Sequence, residues 1–276
     1  MIFEKPAPDF EVWKNRIQPY DMEGVLTESK LLKAYRTLTE RDGFVMSVSG
    51  KMAAGKDTIA PYIGAHLNSA DLPIERLAFA GPLKKETTTA LRKTYVNDNM
   101  GQVFEDYDMS HEMRLVAERI FNDVFDFYRS KDENFTADDI TAYDRSPAMR
   151  RLLQWWGTDF RRNTVDTKYW VKLSVMNIIE ALSLGNAVYM VDIRFPDEAD
   201  AILDLGGVSM RIDVSDDEQK KRLLARDGIV LSDEHKYHPS ETSLDDYSKF
   251  HVRVQTDKLN KEETVEAFCR AIDALI

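Results

Sequence analysis

Short apolar runs alternate with longer helical segments over most of the chain. Five runs are predicted to be strands because they are short and rich in apolar or β-branched residues. They are Phe44–Ser49, Arg76–Ala80, Ala187–Ile193, Val208–Val214 and Val252–Gln255. Strands that helices bury on both faces have this composition. The pattern therefore predicts an α/β fold with a mainly parallel five-stranded sheet flanked by helices.

Helical periodicity marks the segments between and after these strands. The predicted helices are Glu28–Thr39, Asp57–Leu67, Pro82–Tyr95, Met113–Tyr128, Pro147–Trp156, Lys168–Leu184, Asp197–Leu205, Asp217–Arg226 and Lys261–Ile276. Residues 1–42 contain three prolines and one predicted helix, which indicates an N-terminal extension to a main domain of residues 43–276. Within that domain, residues 97–144 are acidic and mostly helical, and we expect them to form an insertion or lid.

Charge and composition narrow the class of ligand. The chain has a formal net charge of -11 and a single cysteine, Cys269. Nucleic-acid binding needs clustered Lys and Arg, so the acidic balance argues against a nucleic-acid partner. One cysteine allows neither an intrachain disulfide nor a CxxC metal site.

No apolar run approaches the roughly 20 residues of a membrane helix, and the first ten residues do not resemble a signal peptide. We expect a cytoplasmic protein, in the host cytoplasm if the chain is viral, with no membrane partner.

A glycine-rich turn joins the first predicted strand to a helix in the segment FVMSVSGKMAAGKDT, residues 44–58. Its GxxxxGK pattern stands in the strand-to-helix setting that a phosphate-binding loop (P-loop) requires. Glycines let backbone N–H groups surround phosphate oxygens, the helix start adds partial positive charge, and the lysine reaches the β and γ phosphates. We therefore predict an ATP site formed by Gly50, Lys51, Ala53, Ala54, Gly55, Lys56, Asp57 and Thr58.

Asp57 occupies the position at which such loops usually have Ser or Thr, whose hydroxyl binds Mg2+. Either the Thr58 hydroxyl binds the ion instead, or the Asp57 carboxylate orients its hydration shell. Both alternatives stay open, because hydroxyl and carboxylate oxygens both suit a hard cation. We expect Mg2+ to accompany ATP.

Cationic residues in two segments after the loop predict a second, anionic ligand. FAGPLKK places Lys84 in the first turn of a helix, against the helix dipole, unless this lysine is simply solvated. LLQWWGTDFRRNTVDTKYW carries Arg161 and Arg162 in what the pattern predicts to be a turn between helices. Paired arginines suit bidentate recognition of phosphate. The aromatic residues of this segment, including Trp170, either pack in the core or stack on a base.

Two further segments add charge near the predicted sheet. VYMVDIRFPDE delivers Asp192 and Arg194 at the end of a strand, where open α/β sheets bind ligands, although an internal ion pair would explain them too. QKKRLLARD places Arg222 and Arg226 on one helix face, where they can neutralise a transferring phosphoryl group or form a solvated basic face. HPSETSLDD contains capping-box patterns and predicts a helix start.

Together these segments resemble the bacteriophage deoxynucleoside monophosphate kinase family, a branch of the P-loop nucleoside monophosphate kinases. The matching pieces occur in the family's order: SGKMAAGKDT, FAGPLKK, LLQWWGTDFRR with a following YWV, VDIRFPDEADAI and HPSETSLD. GKDT in place of GKS or GKT is itself a feature of that family. The resemblance runs from residue 44 to the C-terminus but covers neither the acidic insertion nor the N-terminal extension. It implies a P-loop kinase fold and transfer of the ATP γ-phosphate to a deoxynucleoside or nucleoside monophosphate, with Mg2+.

Site residues can be carried over from the resemblance position by position. It assigns Lys56 to the ATP phosphates, Arg162 and Arg194 to the acceptor, Arg222 or Arg226 to a lid, and Glu241 to the acceptor's base or sugar. On these grounds Lys56, Arg194, Arg222 and Arg226 are predicted to be catalytic. A P-loop kinase for another phosphorylated acceptor, such as dephospho-coenzyme A or phosphomevalonate, and a non-catalytic nucleotide-binding switch remain alternatives, and a homodimer stays open.

Overall fold

Five parallel strands form one sheet in this computed structural model, which describes residues 9–22, 24–40, 43–67, 73–144, 146–227 and 239–275. The strands are β1 (Val45–Gly50), β2 (Ile74–Leu77), β3 (Ala187–Ile193), β4 (Val208–Asp213) and β5 (Val252–Gln255). Their order is β2-β3-β1-β4-β5, and every neighbouring pair is parallel. The predicted α/β class, the number of strands and their direction are confirmed.

Helices connect the strands and cover the sheet. They are α1 (Phe10–Ile17), α2 (Glu28–Glu40), α3 (Lys56–Leu67), α4 (Ala80–Asn97), α5 (Met100–Asp106), α6 (His111–Lys131), α7 (Pro147–Gln154), α8 (Tyr169–Ser183), α9 (Pro196–Asp204), α10 (Asp216–Asp227), α11 (Pro239–Thr242) and α12 (Lys261–Asp273). A π-helix, Trp155–Val165, continues α7. None of the helices in the described ranges has the length and apolar character needed to cross a membrane.

Separate apolar clusters cover the two faces of the sheet. In β1, Val45 belongs to one cluster and Met46 and Val48 to the other. In β3, Val188 belongs to the same cluster as Val45, and Tyr189 belongs to the cluster of Met46. All six residues of the central strand β1 are buried. Burial on both faces explains the continuous apolar run AVYMV at the start of β3.

The N-terminal residues that the structure describes form part of the main core. Trp13 of α1 is 1% exposed, and its Nε1 donates a hydrogen bond to the carbonyl oxygen of Leu205 at 3.0 Å. The sequence pattern missed this eight-residue helix. It also showed no strong apolar stripe in α2, yet Leu31 and Ala34 of that helix are buried in the same cluster. These two helices therefore pack on the sheet through residues that the local pattern did not single out.

The chain divides into two compact units. The sheet unit comprises Met1–Phe79 and Val171–Ile276, and the helical unit comprises Ala80–Trp170. The acidic segment 97–144 lies inside the helical unit. Aromatic rings form much of that unit's core, where Trp156 stacks on Phe121 with ring centres 5.9 Å apart. For Trp156, the expectation of core packing is confirmed, since its side chain is fully buried.

Three local predictions were wrong. The second strand was predicted at 76–80 but lies at Ile74–Leu77, because α4 already begins at Ala80. Arg161 and Arg162 lie within the π-helix and not in a turn. The capping-box patterns of HPSETSLDD, Thr242 with Asp245 and Ser243 with Asp246, predicted a helix start, whereas α11 ends at Thr242.

Candidate functional site

The glycine-rich segment forms a strand, a tight loop and a helix, as predicted. β1 ends at Gly50, and α3 begins at Lys56. A Cβ atom at position 50 would lie 2.7 Å from the carbonyl oxygen of Ile212, so the chain can pass β4 this closely only with glycine. Gly55 has a φ of 111°, a conformation that favours glycine. The structure therefore requires glycine at these two positions for different reasons: close approach of β4 at Gly50 and a positive φ at Gly55.

Lys56 folds back onto the loop that precedes it. Its Nζ donates hydrogen bonds to the carbonyl oxygens of Gly50 and of Lys51, the latter at 2.8 Å. Burial is the main reason why its pKa falls to about 7, and the neighbouring Arg194 lowers that pKa further, while Glu241 opposes the shift. The ammonium group is thus held at the loop, where an anionic ligand would stabilise its charged form.

In the first turn of α3, the backbone N–H groups of Thr58 and Ile59 both donate to the carbonyl oxygen of Gly55, the last residue of the loop. Asp57 and Thr58, the two predicted metal ligands, are exposed in this turn. Among the described residues, no group of three or more His, Cys, Asp or Glu side chains could by itself hold a metal ion. An ion at this place would therefore need phosphate and water oxygens in addition to a side chain.

Arg194 follows β3 at the carboxyl edge of the sheet. Ile193 pairs with Ser49, so the arginine emerges beside the start of the phosphate loop. Its Nη1 forms a hydrogen-bonded ion pair with Oε1 of Glu241. The other carboxylate oxygen of Glu241 accepts a hydrogen bond from the backbone N–H of Met52 at 2.6 Å. The predicted acceptor residues Arg194 and Glu241 are therefore linked to each other and to the loop.

Asp192 lies two residues before Arg194, near the end of β3. Its Oδ1 accepts a hydrogen bond from the backbone N–H of Phe79 at 3.0 Å. The carboxylate thus anchors the chain directly after β2. This contact supplies a structural purpose for a residue that the sequence assigned to the acceptor.

Arg211 is a buried cation that the sequence reading missed. It lies in β4, is 3% exposed, and donates to Oδ1 of Asp213 at 2.8 Å and to Oδ1 of Asp245 at 2.5 Å. Oδ2 of Asp245 is in turn 3.1 Å from Nζ of Lys51 in the loop. An arginine within the predicted strand Val208–Val214 was the signal that could have identified it.

Helix α10 supports the loop through two polar side chains. Nε2 of Gln219 donates to the carbonyl oxygen of Met52 at 2.9 Å. Arg222 donates to the carbonyl oxygens of Ala54 at 3.4 Å and Thr256 at 2.7 Å. Arg222 is therefore a brace behind the loop in this structure and not part of a solvated basic face. The side chain of Arg226, the other predicted lid arginine, lies outside the described residues.

The remaining predicted acceptor residues belong to the helical unit. Nε of Arg161 donates to Oε1 of Glu86 at 2.6 Å, and its guanidinium lies over the rings of Tyr107, Phe160 and Tyr169. Burial, with the negative charge of Glu86, raises the pKa of Tyr107 and of Tyr169 to about 12. Arg161 is therefore part of a buried, hydrogen-bonded aromatic cluster.

Lys84, Arg162 and Trp170 have different surroundings within the same unit. Nζ of Lys84 lies 4.4 Å from the ring centre of Tyr143. Nε1 of Trp170 donates to the carbonyl oxygen of Gly157 at 2.8 Å, and its ring is buried. Arg162 is half-buried in the π-helix. For Trp170, core packing is therefore the observed environment.

Comparison with known proteins confirms the resemblance stated from the sequence. The model of a family described as "Deoxynucleotide monophosphate kinase" matches residues 121–249. The chain is also 30% identical over 165 residues to the "Deoxynucleotide monophosphate kinase" of Enterobacteria phage T4. That alignment covers 57% of this chain and 66% of the phage protein, just under two thirds of its length.

The family match lies C-terminal to the phosphate loop. It contains the segments LLQWWGTDFRR, VDIRFPDEADAI and HPSETSLD, but neither SGKMAAGKDT nor FAGPLKK. The match therefore depends on the more particular segments and not on a loop that many nucleotide-binding proteins share. Among solved structures, "Crystal structure of TT1252 from Thermus thermophilus" is 15% identical, with 85% of this chain and 98% of that chain covered and a TM-score of 0.40.

Proposed function

Because the chain is a relative of the deoxynucleotide monophosphate kinases, we propose that it transfers the γ-phosphate of ATP to a deoxynucleoside monophosphate. One observation carries the proposal: the Glu241 carboxylate binds both Arg194 after β3 and the backbone N–H of Met52, so a second cation lies beside the phosphate loop that contains Lys56. Two neighbouring cations at the carboxyl edge of a parallel sheet are suited to two phosphorylated ligands. The products would be ADP and a deoxynucleoside diphosphate.

The proposed reaction is an in-line displacement without a covalent enzyme intermediate. An oxygen of the acceptor phosphate attacks the γ-phosphorus while the bond to the β,γ-bridging oxygen breaks, and ADP leaves with that electron pair. Lys56 would neutralise charge on the β and γ phosphates, and Arg194 would hold the acceptor phosphate. Most of the catalysis would come from positioning and charge neutralisation.

Mg2+ fits the proposed site in the chemistry of its donors. Asp57 and Thr58 offer oxygen atoms at the exposed first turn of α3, and Mg2+ usually binds through one or two protein oxygens with phosphate oxygens and water. When bound, the ion would neutralise phosphate charge. Both residues are therefore part of the proposal.

The acceptor assignments are likewise part of the proposal. Asp192 and Arg194 lie at the carboxyl end of β3, and Lys84, Arg161, Arg162 and Trp170 are carried by the helical unit. Arg222 is proposed to act on the transferred phosphate through the loop that it braces, and Arg226 is retained as a lid residue.

A coupled assay of ADP release tests the proposal. The acceptors are dAMP, dGMP, dCMP, dTMP, the four ribonucleotides, dephospho-coenzyme A and phosphomevalonate. We expect turnover that depends on at least one deoxynucleoside monophosphate. Stimulation by only one of the last two compounds would show a different kinase, and ATP hydrolysis that no acceptor stimulates would indicate a nucleotide-binding switch.

Two substitutions test the residues. Lys56→Ala and Arg194→Ala are each expected to reduce acceptor-dependent turnover by about 100-fold or more. The exposed residues Lys258 and Arg270 supply matched controls, since Lys258→Ala and Arg270→Ala remove the same charges away from the site. Normal turnover of a folded Lys56 or Arg194 variant would refute the assignment.

A further inference from the structure

Met52, at the tip of the phosphate loop, has its backbone N–H and its carbonyl group both held by buried polar side chains. Its N–H donates to Oε2 of Glu241 at 2.6 Å, and its carbonyl oxygen accepts from Nε2 of Gln219 at 2.9 Å. Gln219 is 3% exposed and Glu241 is 9% exposed. The N–H belongs to the peptide that joins Lys51 to Met52, and the carbonyl belongs to the peptide that joins Met52 to Ala53. The two side chains therefore fix the orientation of two successive peptides.

The backbone conformation of the next residue, Ala53, explains why the loop needs this support. Ala53 has a φ of 58°, in the left-handed region that residues with a Cβ atom rarely adopt. Rotation of the peptide between Met52 and Ala53 would relieve that strain. The hydrogen bond from Gln219 to the carbonyl oxygen of this peptide opposes the rotation, and the bond from Met52 to Glu241 fixes the peptide before it. Together they hold the loop in its strained turn.

Glu241 also joins the loop to the predicted acceptor arginine. While Oε2 binds Met52, Oε1 is paired with Nη1 of Arg194. Four residues later, Asp245 contacts Nζ of Lys51 at 3.1 Å. The segment that begins with α11 therefore contacts two successive loop residues, and one of its carboxylates bridges to the end of β3.

We propose that Gln219 and Glu241 are positioning residues for the phosphate loop. We also propose that Glu241 couples the position of that loop to the position of Arg194, because its carboxylate contacts both. This inference rests on the proposed function, because it assumes that the loop binds nucleotide phosphates. Neither residue needs to touch the reacting atoms. Gln219 acts on the loop alone, whereas Glu241 acts on both the loop and Arg194.

The charges around Glu241 support the second part of the proposal, the link between this residue and Arg194. Lys56 and Arg194 repel each other, and Glu241 offsets this repulsion because its carboxylate attracts both cations. A glutamine at position 241 would leave the two cations with less compensation and would offer one acceptor oxygen, instead of two, to the N–H of Met52 and to Arg194. Its loss should therefore affect the loop and the arginine together, while loss of the Gln219 amide should affect only the loop.

The first experiment measures ADP affinity by titration calorimetry. Gln219→Leu is expected to weaken ADP binding about fivefold, the effect of losing one neutral hydrogen bond. Glu241→Gln is expected to weaken it about tenfold or more, since a charge-assisted bond is lost. Gln255→Leu and Glu266→Gln change exposed residues of the same unit and should leave ADP affinity unchanged. Unchanged affinity in both site variants would overturn the positioning role.

A double-mutant cycle tests the link to Arg194 without any acceptor. If Glu241 transmits the position of the arginine, Arg194→Met alone weakens ADP binding, and adding Glu241→Gln has less than the summed effect. Additive effects, or no effect of Arg194→Met, would overturn the link. Thermal unfolding of every variant shows whether lost affinity merely follows lost stability, and a proportional loss would also count against positioning.

Kinetics separates this inference from the proposed function. With the best acceptor, Gln219→Leu should raise KM for ATP about fivefold with KM for the acceptor unchanged, while Glu241→Gln should raise both. Equal effects of both variants on the acceptor constant would contradict the division of roles. If the wild type binds ADP but phosphorylates no acceptor, the proposed function fails, and the ADP titrations still decide the role of both residues.

Discussion

Nζ of Lys56 donates a hydrogen bond to the carbonyl oxygen of Lys51 at 2.8 Å, within the loop that is proposed to bind phosphate. In this structure the lysine therefore donates its hydrogen bonds to backbone oxygens of its own loop. Phosphate oxygens would offer it stronger, charged partners. Because the pKa of Lys56 is about 7 here, this exchange involves a proton near neutral pH.

We predict that ADP affinity falls as the pH rises from 7.5 to 9. In the free protein, Lys56 is mostly neutral above its pKa of about 7, while the bound diphosphate favours the charged form and raises that pKa. Binding then requires proton uptake, and the dissociation constant should rise with pH by at most about tenfold per unit. Calorimetry in buffers with different ionisation enthalpies measures the protons taken up.

The control for this pH dependence is Lys56→Met, which keeps an unbranched side chain without a titrating group. Its ADP affinity should be low and nearly independent of pH, because ADP phosphates stay ionised throughout this range. A wild-type affinity that does not change between pH 7.5 and 9 would contradict the prediction.

Arg222→Ala is expected to lower both stability and ADP affinity. The guanidinium donates to Ala54 and Thr256, so its removal leaves backbone carbonyl oxygens behind the loop without these donors. We expect a loss of about 1–3 kcal/mol in the free energy of unfolding, measured by urea denaturation. Lys221→Ala is the control, since that neighbouring side chain is 77% exposed. A variant of normal stability and ADP affinity that loses only kcat would instead support a lid role.

Glu86→Ala is expected to destabilise the helical unit by about 3 kcal/mol, because it leaves a buried arginine without its partner. The Glu86 carboxylate accepts from Arg161 at 2.6 Å, Trp156 at 2.8 Å and Tyr169 at 3.0 Å. Tryptophan fluorescence during urea unfolding reports this change. Glu118→Gln, at an exposed position of the same unit, should change stability little.

Trp13→Ala is expected to cost about 4 kcal/mol of stability, since it removes a large buried side chain. Trp13→Phe should cost less, as it keeps the ring contacts and loses mainly the hydrogen bond to Leu205. Val12→Ala, at a 48% exposed position of the same helix, is the control. Differential scanning calorimetry measures all three. Equal stability of wild type and Trp13→Ala would show that α1 is dispensable for the sheet unit.

The sequence predicted the central strands because two-sided burial produces apolar runs such as AVYMV of β3. The limits of β3 and β5 agree with the prediction. It predicted the phosphate loop for a similar reason, since the requirements for Gly50, Gly55 and Lys56 are local to one turn. It missed α1 and α5, because helices of eight and seven residues show little periodicity and neither has the first-turn proline of α7, which is as short as α1.

Local pattern thus determined the type and order of the main elements and placed Arg194 at the end of a strand. Only the tertiary structure decided which groups meet there. Glu241 is distant in sequence from both Met52 and Arg194, yet it contacts both. Arg211 in β4 likewise contacts Asp245, which lies in the segment between α11 and β5. A side chain's hydrogen-bond partners depend on the path of the whole chain, whereas its helical or extended conformation depends largely on its neighbours. For this reason the loop could be identified from fifteen consecutive residues, but the side chains that hold it could not.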